Sequence, residues 1–193
     1  MAPKTTSRQA IIEAAAQLIR THGVKGTSMA QLVELSGTSA GAVYHHFSGK
    51  QEIVVEVARE TIALPMRALG EYRHHPASPA ELASYAMAAL AVAPELADLL
   101  AQLGAGAGTD DELGQRLRAE FSILRDSVEE TMLAWAAAND VPSDRVQGFS
   151  ELLIGLTLGY GLQRVLVDRF DEETYRVQAV ALLRLPSSEL GGS

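Results

Sequence analysis

Apolar residues in the first fifty positions recur at helical intervals. Ile11, Ala14, Ala15, Leu18 and Ile19 fall on one face of a segment from Arg8 to His22, with Thr6 and Gln9 spaced as a capping box before it. Gly23 ends the pattern, because glycine takes a left-handed backbone without a Cβ clash. Ser28 and Gln31 repeat the capping spacing ahead of a short helix through Leu32 and Val33 to Gly37. Ser39 to His46 reads as a third helix, and Ser48 with Gln51 opens a fourth carrying Ile53, Val54 and Val57. Helices as short as the second and third are not stable alone. They must pack on the first and fourth, which predicts a compact head built to present the third helix.

The helical rhythm continues to the C-terminal region. Ser78-Pro79-Ala80-Glu81 joins a capping box to a proline at the first helical position, starting a helix to about Val92. Pro94 restarts another through Leu103. The run Gly104 to Gly108 reads as a flexible link; without a preceding strand or a following Lys-Ser/Thr it is not a phosphate loop. Thr109 and Glu112 cap a long helix to about Ala138, a further helix spans Asp144 to about Asp168, and the last runs from Glu172 to Leu185. No stretch alternates with period two. The expected fold is all-α: a three-helix helix-turn-helix head over 6–66, joined by a long helix to a helical body over 67–186, with a disordered tail at 187–193.

Composition agrees and narrows the class. Apolar residues make up 47% and aromatics only 5%, which favours helix over sheet. No run approaches the twenty or so apolar residues of a membrane span, and no basic-then-apolar signal segment opens the chain, so a cytoplasmic protein without a membrane partner is expected. The absence of cysteine excludes disulfides and thiolate chemistry. The net charge of −8 is unevenly shared: five cations and two carboxylates give residues 1–50 a charge of +3, leaving −11 for the other 143. A basic head on an acidic body suits a protein that touches phosphates at one end.

The chemistry concentrates between Thr27 and Lys50. Ser39, Ala40, Gly41 and Ala42 leave the first turn of the third helix nearly bare, so it can enter a major groove deeply. Tyr44, His45 and His46 follow as donors for phosphate oxygens, and Lys50 adds a cation where a helix begins. Thr27 and Ser28 place two hydroxyls at another helix start, on the opposite rim. Two phosphate clamps beside a slim helix point to DNA.

This stretch resembles the TetR family of repressors. The resemblance rests on Thr27-Ser28, Leu32, Gly37, Gly41-x-x-Tyr44-x-His46-Phe47, and Lys50 with Ile53 after it. It covers about residues 8–60 and implies phosphate contacts from Thr27, Ser28, Tyr44, His46 and Lys50. Met29, Ala30, Ser39, Ala40 and Ala42 would then face bases, with Phe47 in the core. The family often carries a larger polar residue near Ala40, so here thymine methyls, backbone approach or DNA shape must do more of the reading.

The segment Ser150 to Gln163 resembles, less specifically, the penultimate helix of members with a choline-regulator (BetI-like) body. Glycine costs a helix roughly 1 kcal/mol relative to alanine, so Gly155, Gly159 and Gly161 imply a structural return. Gly155 and Gly159, with Leu152, Leu156, Gln163, Val177, Val180 and Ala181, are candidates for a homodimer interface, the alternative being helix packing within one chain. Met66, Tyr72, Met87, Phe121, Met132, Trp135, Phe149 and Tyr160 are candidates for an effector pocket, the alternative being ordinary core. Adjacent helical histidines diverge by about 100°, so neither His45-His46 nor His74-His75 makes a good chelate, and no metal or cofactor is expected. The predicted function is a homodimeric, ligand-released repressor that binds double-stranded operator DNA and a small apolar effector. An activator or ligand-independent regulator is the alternative; a helical binding protein or enzyme with a relic head is more remote, as no catalytic motif occurs.

Overall fold

Polar side chains mark the starts of the first four helices in the computed structural model, which describes residues 6–72, 76–108 and 110–185. Thr6 accepts from the Gln9 amide, but the Gln9 side chain turns to Glu13, so only half of that capping box forms before α1 (Ser7–Gly26). Ser28 and Gln31 form the full reciprocal box before α2 (Met29–Ser36). Ser39 accepts from the Ala42 amide at 3.1 Å and opens α3 (Ala40–His46). Before α4 (Lys50–Glu71), Ser48 pairs with Glu52 and not with Gln51: its amide and hydroxyl both donate to Glu52 Oε2 at 2.6 Å. Those two bonds hold the Glu52 carboxyl below its ordinary range. Gln51 instead donates to Asp110 Oδ2 at 2.8 Å.

Two of the predicted turns rest on left-handed glycines. Gly23 has φ 71° and interrupts α1, leaving a single turn to Gly26. Gly37 caps α2 with φ 64°, a conformation other residues adopt only with strain.

The later elements are α5 (Pro79–Val92), α6 (Pro94–Ala107), α7 (Asp111–Ala138), a 3-10 turn (Ser143–Arg145), α8 (Phe149–Leu166) and α9 (Glu172–Leu182). Among the described residues there is no strand, and the all-α class holds. Three boundaries differ from the sequence expectation. The supposed link after Leu103 is the last turn of α6, where a Cβ on Gly106 would lie 2.6 Å from Val24 Cγ2. Tertiary contact thus decides the state of a segment whose propensity is poor. Gly148, at φ 77°, separates the 3-10 turn from α8, so no helix runs on from Asp144. Helix α9 ends at Leu182, three residues early. Asp110 Oδ1 accepts from the Leu113 amide at the start of α7; the predicted Thr109 cap, His74-His75 and the tail at 187–193 lie outside the described residues.

The chain divides into two compact units. The first contains residues up to Ile62 together with Asp98–Phe121; the second contains Ala63–Ala97 and the residues from Ser122 onward. The core of the first packs Ile11, Ile19, Leu32, Val43, Phe47 and Val57 with Leu103 of α6 and Leu117 of α7. In the second, Leu82, Met87, Leu90, Met132, Leu153 and Tyr160 form the main core. No single helix among the described residues is long and apolar enough to cross a membrane.

Candidate nucleic-acid interface

Helix α3 buries one side and offers the rest. Val43 and the following Phe47 are sealed in the first unit's core, while Ser39, Ala40, Gly41, Tyr44 and His45 are exposed. Tyr44 is 61% accessible although aromatic. Ser28 and Ala30 are exposed at the start of α2; Met29 and Ala42 are partly covered, Met29 by the apolar core. First-turn amides of a helix have no intrahelical acceptor. The openings of α2 and α3 therefore supply free N–H donors beside small side chains.

The structure gives several predicted phosphate contacts an internal task. Thr27 is only 3% exposed, and its hydroxyl donates to the Gly23 carbonyl at 2.9 Å. Lys50 Nζ donates to the carbonyls of Val24 and Thr27, both at 3.1 Å. These bonds fix the turn that aims α2, and they place the ammonium beside that helix's N-terminus. His46 Nε2 meets Ser7 Oγ at 2.9 Å, and its ring lies edge-on to Phe47. Among the described residues the Tyr44 and His45 side chains make no hydrogen bond, the His45 ring lying edge-on to that of His46.

Sequence reasoning missed a second tier of polar contacts. Arg8 lies over the Phe47 ring at 5.5 Å and pairs with Glu56, which also pairs with Arg59. Arg59 reaches Glu120 of α7 at 2.7 Å, a contact that holds its guanidinium firmly protonated. Glu56 and Arg59 are an i,i+3 pair on α4, but only the packing of α1 and α7 on that helix brings Arg8 and Glu120 to them.

The eight effector candidates fall in different packing clusters. Phe121 packs on the first unit's core, whereas Tyr72, Met87, Met132, Phe149 and Tyr160 belong to the main core of the second. Trp135 lies in a separate small cluster with Ala136, Val141 and Val146, and Met66 is partly buried. Tyr160 Oη donates to Glu172 at 2.7 Å, and Arg164 joins them by pairing with Glu172 at 3.0 Å and donating to the Leu90 carbonyl at 2.8 Å. Burial, and then the Glu172 carboxylate, push the Tyr160 phenol up; the Tyr160 and Arg164 bonds hold Glu172 down.

The proposed interface residues also divide. Leu152, Gly155, Val177 and Ala181 are exposed, and a Cβ on Gly155 would meet nothing within 4 Å. Gln163 is partly covered. Gly159 faces its own chain, where a Cβ would sit 3.0 Å from Tyr175 Oη, and Leu156 and Val180 pack against the core. Of the three α8 glycines the tightest is Gly161, buried with its would-be Cβ 2.7 Å from Ala97 Cβ.

Residues 11–57 match the family described as bacterial regulatory proteins, tetR family. The repressor AcnR of Corynebacterium glutamicum is 41% identical over 59 residues, 31% of each chain. The regulator TtgR of Pseudomonas putida is 44% identical over 48 residues, 25% of this chain and 23% of that one. The matched segment thus spans under a third of these relatives. Over the whole chain, the fold matches a solved regulator FadR from Bacillus subtilis, crystallised with stearoyl-CoA, with a TM-score of 0.73 at 16% identity, covering 90% of this chain and 96% of that one. A regulator from Aquifex aeolicus matches with a TM-score of 0.72 at 17% identity, covering 92% and 98%. At such identities the likeness is one of fold.

Proposed function

We propose that this chain is a tetR-family, DNA-binding transcriptional regulator: a homodimeric repressor that a small apolar molecule releases from its operator. The observation that carries the reading is the exposed, small-residue opening of α3 beside the capped opening of α2, both mounted on one buried aliphatic core. Small side chains let backbone amides approach the DNA, and Tyr44 and His45 stand free to donate to phosphate. Thr27 and Lys50 act by holding α2 in place, and Lys50 adds its charge there. The sequence of α8 resembles that of choline-regulator members, and α4, α6 and α7 each contribute residues to both units. A ligand that prefers one body conformation would bias the heads through them.

Homodimerisation is supported by the exposed apolar face of α8 and α9, which includes Leu152, Leu158, Leu162 and Val177. Two heads across a two-fold axis would read half-sites one DNA turn, ~34 Å, apart. Gel shifts against the intergenic DNA flanking the gene test the core claim. A sequence-preferring shift that weakens steeply with salt is expected; none at physiological salt would overturn it. Tyr44→Phe should weaken binding by a few-fold to about tenfold on all sequences alike, the value of one hydrogen bond. Leu162→Glu should give a helical monomer in sedimentation that no longer shifts DNA.

A further inference from the structure

The core candidates Met87, Met132 and Tyr160 are sealed, but Trp135 is not placed like them. It borders an open groove of about 430 Å³ at the start of α5, the end of α7 and the end of α9. Pro79, Ala80, Val180, Leu183 and Leu185 supply the rest of its apolar wall. Ser78 and Glu81 also line it, yet the α5 cap uses them: the Ser78 amide and hydroxyl both donate to Glu81 Oε2 at 2.8 Å. Three lining groups remain: the Trp135 indole N–H, the Ser84 hydroxyl and the Arg184 guanidinium have no hydrogen-bond or ion-pair partner among the described residues. Trp135 is only 9% exposed, so an almost buried side chain presents an unused donor at the groove. An indole donates and cannot accept, and a guanidinium only donates.

We propose that this groove binds a small aryl carboxylate. The planar guanidinium matches a carboxylate in charge and in fork geometry, and Ser84 adds a further donor. The indole and the aliphatic wall take the aryl body by offset stacking and burial. The volume lies within the range of small-molecule sites. This deepens the reading of the second unit as an effector-binding body and rests on it, but its test uses no DNA.

Trp135 is the sole tryptophan of the chain, so its emission reports on the groove directly. The full-length protein is titrated with 4-phenylbutyrate while indole emission is followed. A saturable change is expected, with Arg184→Gln and the neutral probe 4-phenylbutanamide each weakening binding about tenfold or more, as loss of a charge-assisted bond requires. Calorimetry on Trp135→Phe should find weakened binding, which separates a lost site from a lost signal. No saturable response with millimolar 4-phenylbutyrate would overturn the proposal. So would equal binding of the amide, or unchanged affinity in Arg184→Gln. The gel shift described above, run on the same preparation, tells the two readings apart: intact DNA binding without a carboxylate response defeats this site alone.

Discussion

The two units differ in what fills them. The first is closed by aliphatic side chains and Phe47; Thr27 and Lys50 satisfy carbonyls of one turn, and the Arg8–Glu56–Arg59–Glu120 ion pairs lie outside that core on partly exposed side chains. The second builds Tyr160, Arg164 and Glu172 into its packing and tilts the rings of Phe170 and Tyr175 against Tyr160. Sequence likeness is local too: the family model matches residues 11–57 and AcnR is 41% identical over 59 residues, while 90% of the chain matches FadR in fold at 16% identity. An aliphatic core with capped helices can be specified by local pattern. A polar network joining Leu90, Arg164 and Glu172 depends on partners far apart in sequence.

The sharpest test of this contrast is Leu103→Ala. Leu103 follows the head by forty residues yet is fully buried in its core. Its truncation should cost about 2–5 kcal/mol, seen in urea unfolding, and should reduce DNA shifting. An effect confined to the second unit would break the division. Next comes Gly161→Ala, whose Cβ would press on Ala97 and Leu90. About 1–3 kcal/mol of overpacking cost is expected in the second unit, with DNA affinity unchanged under conditions where the protein stays folded. Tyr160→Phe is smaller, about 1 kcal/mol for the lost bond to Glu172, read by the same unfolding curves. The mildest probe is acid. Backbone and hydroxyl bonds from Thr174 lower Asp171, and the Tyr160 and Arg164 bonds lower Glu172. Their stabilisation of the α9 start is present above the ordinary carboxylate values and disappears as pH falls through the depressed ones. Circular dichroism should therefore show α9 loosening on the acid side, and no loosening on raising pH from neutrality toward 8.

Much of the fold was legible because its signals are local. Ser28 with Gln31, Gly37, and Ser78 with Glu81 each decide a helix end within four residues. The errors arise where distant contact outweighs local preference. Gly104 and Gly106 look like a link, but helix α6 persists through them because Gly106 fits against Val24. At the candidate interface, residue types pointed to the surface of α2 and α3, whereas the division of labour within it was hidden. Whether Lys50 holds phosphate or backbone depends on carbonyls more than twenty residues away. Gly155 and Gly159 share a helix stripe, yet only the position of Tyr175 distinguishes an open glycine from a covered one.

Val24 occupies a junction between two otherwise separate constraints. Its side chain meets Gly106 of α6, and its carbonyl accepts from Lys50 of α4. Four residues later the α2 cap begins. The stretch from Gly23 to Ser28 consequently behaves as a spacer of fixed length: adding or deleting one residue would put either the side chain or the carbonyl out of register. Substitutions can vary the exposed surface of α2 and α3 that we propose faces DNA, and with it the sequence preferred. Insertions in this spacer cannot be accommodated in the same way, so divergence among chains with this head should proceed by changing side chains while its length stays constant.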